Sequence, residues 1–380
     1  MIDEEDIQIC LGSHEPLESR DGAVLPPVSQ ASFFRKRSAK ELFEALQDED
    51  REFVYSRGTN PTVRVLETRL AALERGEACK CFASGMAAIS SVLASLLSSG
   101  DHVLFINNIY GPTLQLASML EDFGIRHTAI QGEDVTDFEK FIEPETKLIY
   151  FESPGSMTFR LAPVSEIARV GKKRGILTCI DNTVCTPLFQ KPLTMGIDIS
   201  VHSLTKYVGG HSDAVGGAVI ASCEILKKIF YRGYMLLGGA LAPQNAWLFL
   251  RGLMTMPNRV LQHQKDALEV AEYLETHPRV VEVLHPLLFY KEETDFGYTG
   301  LFSAVIDVDS FEELCAVVDR LELFGKAVSW GGAESLVIPA FGFDDRHRPP
   351  GIPENLVRFS IGLEGASALI KDLSNALEKR

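Results

Sequence analysis

Short, continuously apolar runs along this chain are separated by stretches whose apolar residues recur at helical spacing. Asn60-Pro61 predicts a helix start, with proline at the first helical position, where a missing N–H is harmless. Val65, Leu66, Leu70 and Leu73 give that helix one apolar face, and a second helix is expected from Gly85. The runs HVLFI (102–106), KLIYF (147–151), ILTCID (176–181), DISVH (198–202) and GAVIA (217–221) read as strands buried on both faces. Helical patterns such as Pro163 to Lys173 lie between most of them. This order predicts an α/β domain: a mostly parallel sheet flanked by helices.

Residues 1–60 read instead as an arm, with Pro26-Pro27, a basic run from Arg35 to Arg37, and one short helix. Ser38 with Glu41 three positions later is a capping box for that helix. Beyond residue 225 the texture changes. A long helical stretch runs from Pro243 to Thr276, with a break expected at Pro257. A strand (301–308), a helix (310–322), a loop (343–351), a strand near Leu356 to Ser360 and a last helix (364–379) follow. The expected organisation is an arm (1–60), a large domain (61–242) and a smaller α+β domain (243–380).

Composition narrows the function classes. Of 380 residues, 46% are hydrophobic and 23% charged, which excludes a largely disordered, collagen-like or disulfide-knotted chain. A net charge of −15 argues against nucleic acid or an anionic membrane as the main partner. The most apolar stretch, Ala87 to Leu97, carries three serines and is far shorter than the ~20 residues of a membrane span. The acidic start MIDEEDIQIC lacks the character of a signal peptide. Seven cysteines without any C-x-x-C read as reduced thiols of a cytoplasmic protein, and no spacing suggests a metal site. No G-x-G-x-x-G follows a strand, and no G-x-x-x-x-G-K-[ST], H-E-x-x-H or G-x-S-x-G occurs.

The segment 181–219 carries the chemistry. Asp181 ends one predicted strand and Lys206 follows the end of the next. Ligands of open α/β sheets bind beyond the carboxyl ends of strands, so this acid and this amine can face one pocket. Pyridoxal phosphate needs such a pair: a lysine to form the Schiff base and a carboxylate to keep the pyridine nitrogen protonated. Its phosphate needs hydroxyls and free helix N–H groups. Ser203 and Thr205 stand beside Lys206, and Ser84-Gly85-Met86 opens a helix whose positive end attracts an anion. His202 and His211 flank the segment and read as hydrogen-bonded structural histidines.

The motifs YSRGTNPT (55–62), ASGMAA (83–88), YGPT (110–113), ESPGS (152–156), DNT (181–183), SLTKYVGGHSD (203–213), SWGGAESL (329–336) and VRFSIGLE (357–364) span most of the chain. In number, order and spacing they resemble the Cys/Met-metabolism family of pyridoxal-phosphate enzymes, the transsulfuration group of fold type I. By that resemblance Lys206 is the Schiff-base lysine, Asp181 pairs with the pyridine nitrogen, and Tyr110 stacks on the ring and assists in deprotonating the incoming amine. Gly85, Met86, Ser203 and Thr205 hold the phosphate, while Tyr55 and Arg57 reach the phosphate of a neighbouring subunit. Arg358 binds the substrate α-carboxylate, and Ser329 and Trp330 line the same pocket. Thr183 and Ser156 are either near the ring or turn and cap residues. The resemblance further implies a homo-oligomer, a tetramer built as a dimer of dimers, acting on a small sulfur amino acid.

Within the family, ESPGS and the SWGG segment followed by ESL resemble bacterial cystathionine β-lyases; γ-enzymes more often carry SP[ST]NP and SLG. Val328 stands where several cystathionine γ-enzymes have glutamate, and Pro112 where methionine γ-lyases have cysteine. Some β-lyases, however, have tyrosine at the positions of Val328 and Ala333, which implies a roomier distal pocket here. The expected reaction is β-elimination from cystathionine or a related cysteine S-conjugate, giving a thiol, pyruvate and ammonia. Elimination or replacement at the γ-carbon is the alternative.

Overall fold

The computed structural model describes residues 2–13, 23–290, 297–339 and 352–378. Asp3 caps helix α1 (Glu4–Leu11), and Ser38 caps α2 (Ala39–Leu46) by accepting the Glu41 N–H. Glu41 reaches back one residue further than a capping box requires, accepting the Arg37 N–H at 2.8 Å, so the Ser38 half of the expected box is formed and the other half is displaced by one residue. The arm thus holds two helices, not one. α1 escapes the apolar pattern because a buried acid anchors it: Asp6 pairs with Arg75 at 2.9 Å and Lys191 at 2.8 Å. Cys10 then packs among Val63, Leu66 and Phe249.

The main body follows as α3 (Pro61–Leu73), β1 (Ala78–Phe82), α4 (Gly85–Leu96), β2 (His102–Ile106), α5 (Gly111–Glu121), β3 (Arg126–Ile130) and β4 (Thr146–Glu152). It continues through α6 (Val164–Arg174), β5 (Leu177–Asp181), the one-turn α7 (Thr186–Phe189), β6 (Ile199–Ser203) and β7 (Gly217–Ala221). The seven strands lie in the order β1-β7-β6-β5-β4-β2-β3. β2 to β6 and β3 are mutually parallel, and β7 is antiparallel to both its neighbours, so the sheet is mostly parallel as expected. Side-chain alternation divides its core. Leu148 and Tyr150 of β4 pack with α4 on one face, while Ile149 and Phe151 pack with α6 on the other.

β1 is absent from the sequence reading because Lys80 interrupts its apolar run. That lysine is buried, paired with Glu67 at 3.1 Å and seated over the rings of Phe230 and Tyr234. β3 is missed for the opposite reason: it is a sheet edge, half exposed and polar.

α8 (Cys223–Ile229) and α9 (Met235–Leu237) lead into α10 (Pro243–Glu275). α10 is continuous, so no break falls at Pro257. Proline removes one ladder hydrogen bond, the one to Leu253 O; beside it Arg259 Nη2 donates to Gly252 O at 2.8 Å and Thr255 Oγ1 donates to the same oxygen. Packing along the whole length carries the helix through the gap. Its first half buries Phe249, Leu250 and Leu253 against the large sheet's core, and its second half buries Ala267, Val270 and Leu274 in a second core. That core covers β8 (Val280–Leu284), the one-turn α11 (Pro286–Phe289), β9 (Leu301–Ile306), α12 (Phe311–Asp319), β10 (Gly325–Lys326), β11 (Leu336–Pro339), β12 (Leu356–Ser360) and α13 (Ala366–Glu378). Their sheet order is β10-β11-β12-β9-β8. The loop expected over 343–351 lies outside the described residues.

Candidate active site

Strand register sets the floor of the site. Glu152 at the end of β4 is the neighbour of Asp181 at the end of β5, and Asp181 is the neighbour of Val201 on β6. Thr183 ties these ends together: its hydroxyl donates to Asp181 Oδ1 and accepts the Ser203 N–H at 2.8 Å. The Thr183 N–H donates to the same Asp181 oxygen at 3.0 Å. Burial raises Asp181 above the ordinary carboxylate range, and these bonds work against that rise.

Opposite Ser203 stands the start of α4. Ser84 caps the helix by accepting the Ala87 N–H at 3.0 Å. A Cβ on Gly85 would lie 3.0 Å from Ser203 Cβ and 3.2 Å from its Oγ, and one on Gly217 would lie 2.3 Å from Ser84 O. Glycine at both places brings a serine hydroxyl against open helix N–H groups, a cradle for an anion. Met86 contributes only backbone to it, since its side chain packs into the core around α4. Thr205 is hydrogen-bonded to the Gly216 backbone, accepting its N–H at 3.1 Å.

Lys206 reaches across to the second sheet. Its Nζ donates to Ser329 Oγ at 2.7 Å and lies 5.1 Å from the centre of a Trp330 ring. Burial, and then the charge of Arg358, push the amine down to about 8, against an opposing pull from Asp181. Arg358, on β12, donates to Ser329 O at 3.0 Å, while its Nε is buried without a partner. Ser329 itself has φ +78°, a strained setting for a non-glycine residue, and Gly331 (φ +86°) leaves room for the Lys206–Tyr207 backbone. The segment SWGG is therefore moulded onto the lysine loop.

Tyr110 begins α5, its ring half exposed. Ser156 is a cap for a carboxylate: its hydroxyl donates to Glu152 at 2.7 Å. Tyr55 and Arg57 make their contacts elsewhere; Arg57 donates to Met235 O at 2.7 Å and its guanidinium stacks on Tyr55. His202 donates or accepts at Glu74 and Ser200, and His211 at Gly209 O, the structural settings expected of them. Glu152 was not singled out from the sequence, although it opens a recognised motif; a charged residue ending an otherwise apolar strand is the signal that points to it.

A buried acid, a lysine able to lose its proton near neutrality, an anion cradle and an arginine with a free buried donor fit a coenzyme with a basic ring nitrogen, an aldehyde and a phosphate, together with a carboxylate substrate. The comparisons agree. A cystathionine gamma-lyase of Bacillus subtilis is 36% identical over 95% of this chain and 96% of its own length. A cystathionine beta-lyase of the same organism is 36% identical over 96% and 95%. A crystal structure from Campylobacter jejuni, described as an O-acetylhomoserine (thiol)-lyase and carrying a pyridoxyl-lysine phosphate, superposes with a TM-score of 0.90 at 31% identity, covering 98% of this chain and 100% of that one. The family model for Cys/Met metabolism PLP-dependent enzymes matches residues 8–378, and the chain belongs to that pyridoxal-phosphate-dependent family.

Proposed function

We propose that the protein is a carbon–sulfur β-lyase acting on cystathionine or a related cysteine S-conjugate. Bound pyridoxal phosphate supplies an aldehyde for the substrate amine and a ring that accepts electron density from the α-carbon. Asp181 holds the ring nitrogen, and Ser203 with the N-terminal amides of α4 holds the phosphate. Arg358 takes the substrate carboxylate through its guanidinium fork. Lys206, whose pKa is lowered far enough that a share of it is neutral near pH 8, removes the α-proton. The C–S bond then breaks with its electron pair on sulfur, and the proton carried by Lys206 passes to the departing thiolate. Water completes the release of pyruvate and ammonia.

The observation that carries this reading is the seating of Trp330 beside Lys206 and against Tyr207, at a ring distance of 5.5 Å. It walls the space next to the amine and belongs to the SWGG segment that resembles β-lyases. Elimination at the γ-carbon stays the second reading, favoured by the exposed Val328 and Ala333, which leave the distal side open. Tyr55 and Arg57, whose contacts are with each other and with Met235 O, support a site completed between two copies in a homotetramer. The cytoplasm, where thiols stay reduced, is the compartment that fits. Among the described residues no helix is long and apolar enough to cross a membrane.

The test is L-cystathionine with identification of the keto acid. Pyruvate with homocysteine is expected. Predominant 2-oxobutyrate would move the reaction to the γ-carbon.

A further inference from the structure

Glu152 is 4% exposed, and both its oxygens are engaged: Oε1 accepts the Tyr110 N–H at 2.6 Å and Oε2 accepts the Ser156 hydroxyl at 2.7 Å. Tyr110 is the N-cap residue of α5 but offers the helix no side-chain cap. The next residue, Gly111, is conformationally permissive, and Pro112 leaves the first turn one N–H fewer. The Glu152 carboxyl is what grips it, through the hydrogen bond from the Tyr110 N–H. Glu152 is in turn fixed at its backbone, where Asn107 Nδ2 donates to Glu152 O at 2.9 Å and to Arg160 O at 2.7 Å. The half-exposed phenol ring takes its direction from this main-chain anchor, among the charges of Asp181, Glu152 and Arg358.

We infer that Glu152 is a positioning residue, which holds the Tyr110 main chain and thereby aims the phenol into the site beside Asp181. The inference rests on the reading of Tyr110 as a ring-contacting residue. Burial, and then the adjacent Asp181, push Glu152 up to about 8. A neutral side chain of the same shape therefore suits this position. Glutamine keeps both contacts: its carbonyl accepts from Tyr110 N–H and its amide donates to the Ser156 oxygen. Alanine keeps neither.

The experiment compares Glu152→Ala, Glu152→Gln, Tyr110→Ala and the double alanine variant as holoenzymes. Its readouts are kcat/KM with cystathionine and the circular dichroism of the bound coenzyme, which reports how the ring is packed. Glu152→Ala is expected to lower kcat/KM by about 10- to 100-fold, the scale of a small misplacement, and to weaken the coenzyme signal. Glu152→Gln is expected to stay within about threefold of the parent, and the double variant to fall no further than Tyr110→Ala, as for two residues acting as one unit. Parental behaviour of Glu152→Ala, equal impairment of the glutamine variant, or additive losses would overturn the inference while leaving the Tyr110 reading intact. A fully active Tyr110→Ala, with an unchanged coenzyme signal, would overturn both. If Glu152→Ala does not fold, Ser156→Ala removes one of the two contacts without touching the backbone. It is expected to lose about threefold to tenfold in kcat/KM and to weaken the coenzyme signal, and no change in either would overturn the inference.

Discussion

Lys206 and Ser329 join the two sheets at the site: the amine donates to the hydroxyl at 2.7 Å while Arg358 grips the Ser329 carbonyl at 3.0 Å. One serine thus fixes both the proposed base and the proposed carboxylate ligand, one through its side chain and one through its backbone. Ser329→Ala separates the two. Arg358 keeps its partner, so substrate affinity should change little. The amine loses one hydrogen bond to a charged group, and kcat should fall by about 10- to 100-fold. Steady-state kinetics with KM and kcat resolved checks this; a loss confined to KM would contradict it.

Burial of Lys206 also carries a stability cost in the coenzyme-free protein. The amine sits at about 8 when folded and returns to ~10.4 when unfolded. Below about pH 8 both states are protonated and the folded state bears the full cost of a partly desolvated charge; as pH rises to ~10.4 that cost vanishes. Lys206→Met should therefore abolish turnover yet stabilise the coenzyme-free protein by about 3 kcal/mol at pH 7, with the gain disappearing above pH ~10. Denaturant unfolding of the two coenzyme-free proteins across that range, at equal protein concentration, measures it.

Thr183 occupies the seam between β5 and β6, satisfying Asp181 and the Ser203 N–H with one hydroxyl. Thr183→Val takes the acceptor from the Ser203 N–H and leaves Asp181 with only the backbone N–H of residue 183. Asp181 should then hold a proton to higher pH and pair less well with a ring nitrogen. Affinity for pyridoxal phosphate should drop about tenfold, while Thr183→Ser should remain within about threefold. Equilibrium titration of the coenzyme-free proteins distinguishes the two variants.

Gly85→Ala tests the anion cradle by filling it. The added Cβ, 3.0 Å from Ser203 Cβ, crowds the place where helix and hydroxyl converge. Alanine's helix preference at this first position is offset by that crowding, so the coenzyme-free protein should unfold within a few degrees of the parent. Coenzyme affinity should nevertheless fall. Unchanged affinity would mean that the phosphate is held elsewhere.

The parallel sheet and the Lys206–Asp181 pair were legible because fully buried strands are written as continuous apolar runs and because strand ends are where ligands gather. The contact that seats Ser329 on Lys206 spans 123 positions and joins two sheets, and no local pattern encodes it. The same holds for α1, held by one buried carboxylate, and for α10, whose proline is tolerated in a helix buried against two cores along its length. Glu152 was hidden by its own motif: the short sequence suggested a cofactor neighbourhood without saying that its first residue grips Tyr110.

Lys80 is the sharpest of these cases, a cation written into the middle of a buried edge strand. Its amine contacts Glu67, whose Oε1 also accepts the Cys81 N–H at 3.1 Å, so both charges are satisfied in place. Lys80→Met removes the closer cation and leaves the buried carboxylate with Arg64 at 3.7 Å, so the loss should fall somewhat short of the about 3–5 kcal/mol that a fully broken buried pair typically costs. Glu67→Gln added to it returns a neutral group that still accepts from Cys81. The double variant should recover most of the lost stability, because replacing both charges of a buried pair is commonly close to neutral. Chemical denaturation of the single and double variants tests this. A single variant as stable as the parent would mean that the pair contributes nothing to holding β1 at the sheet edge.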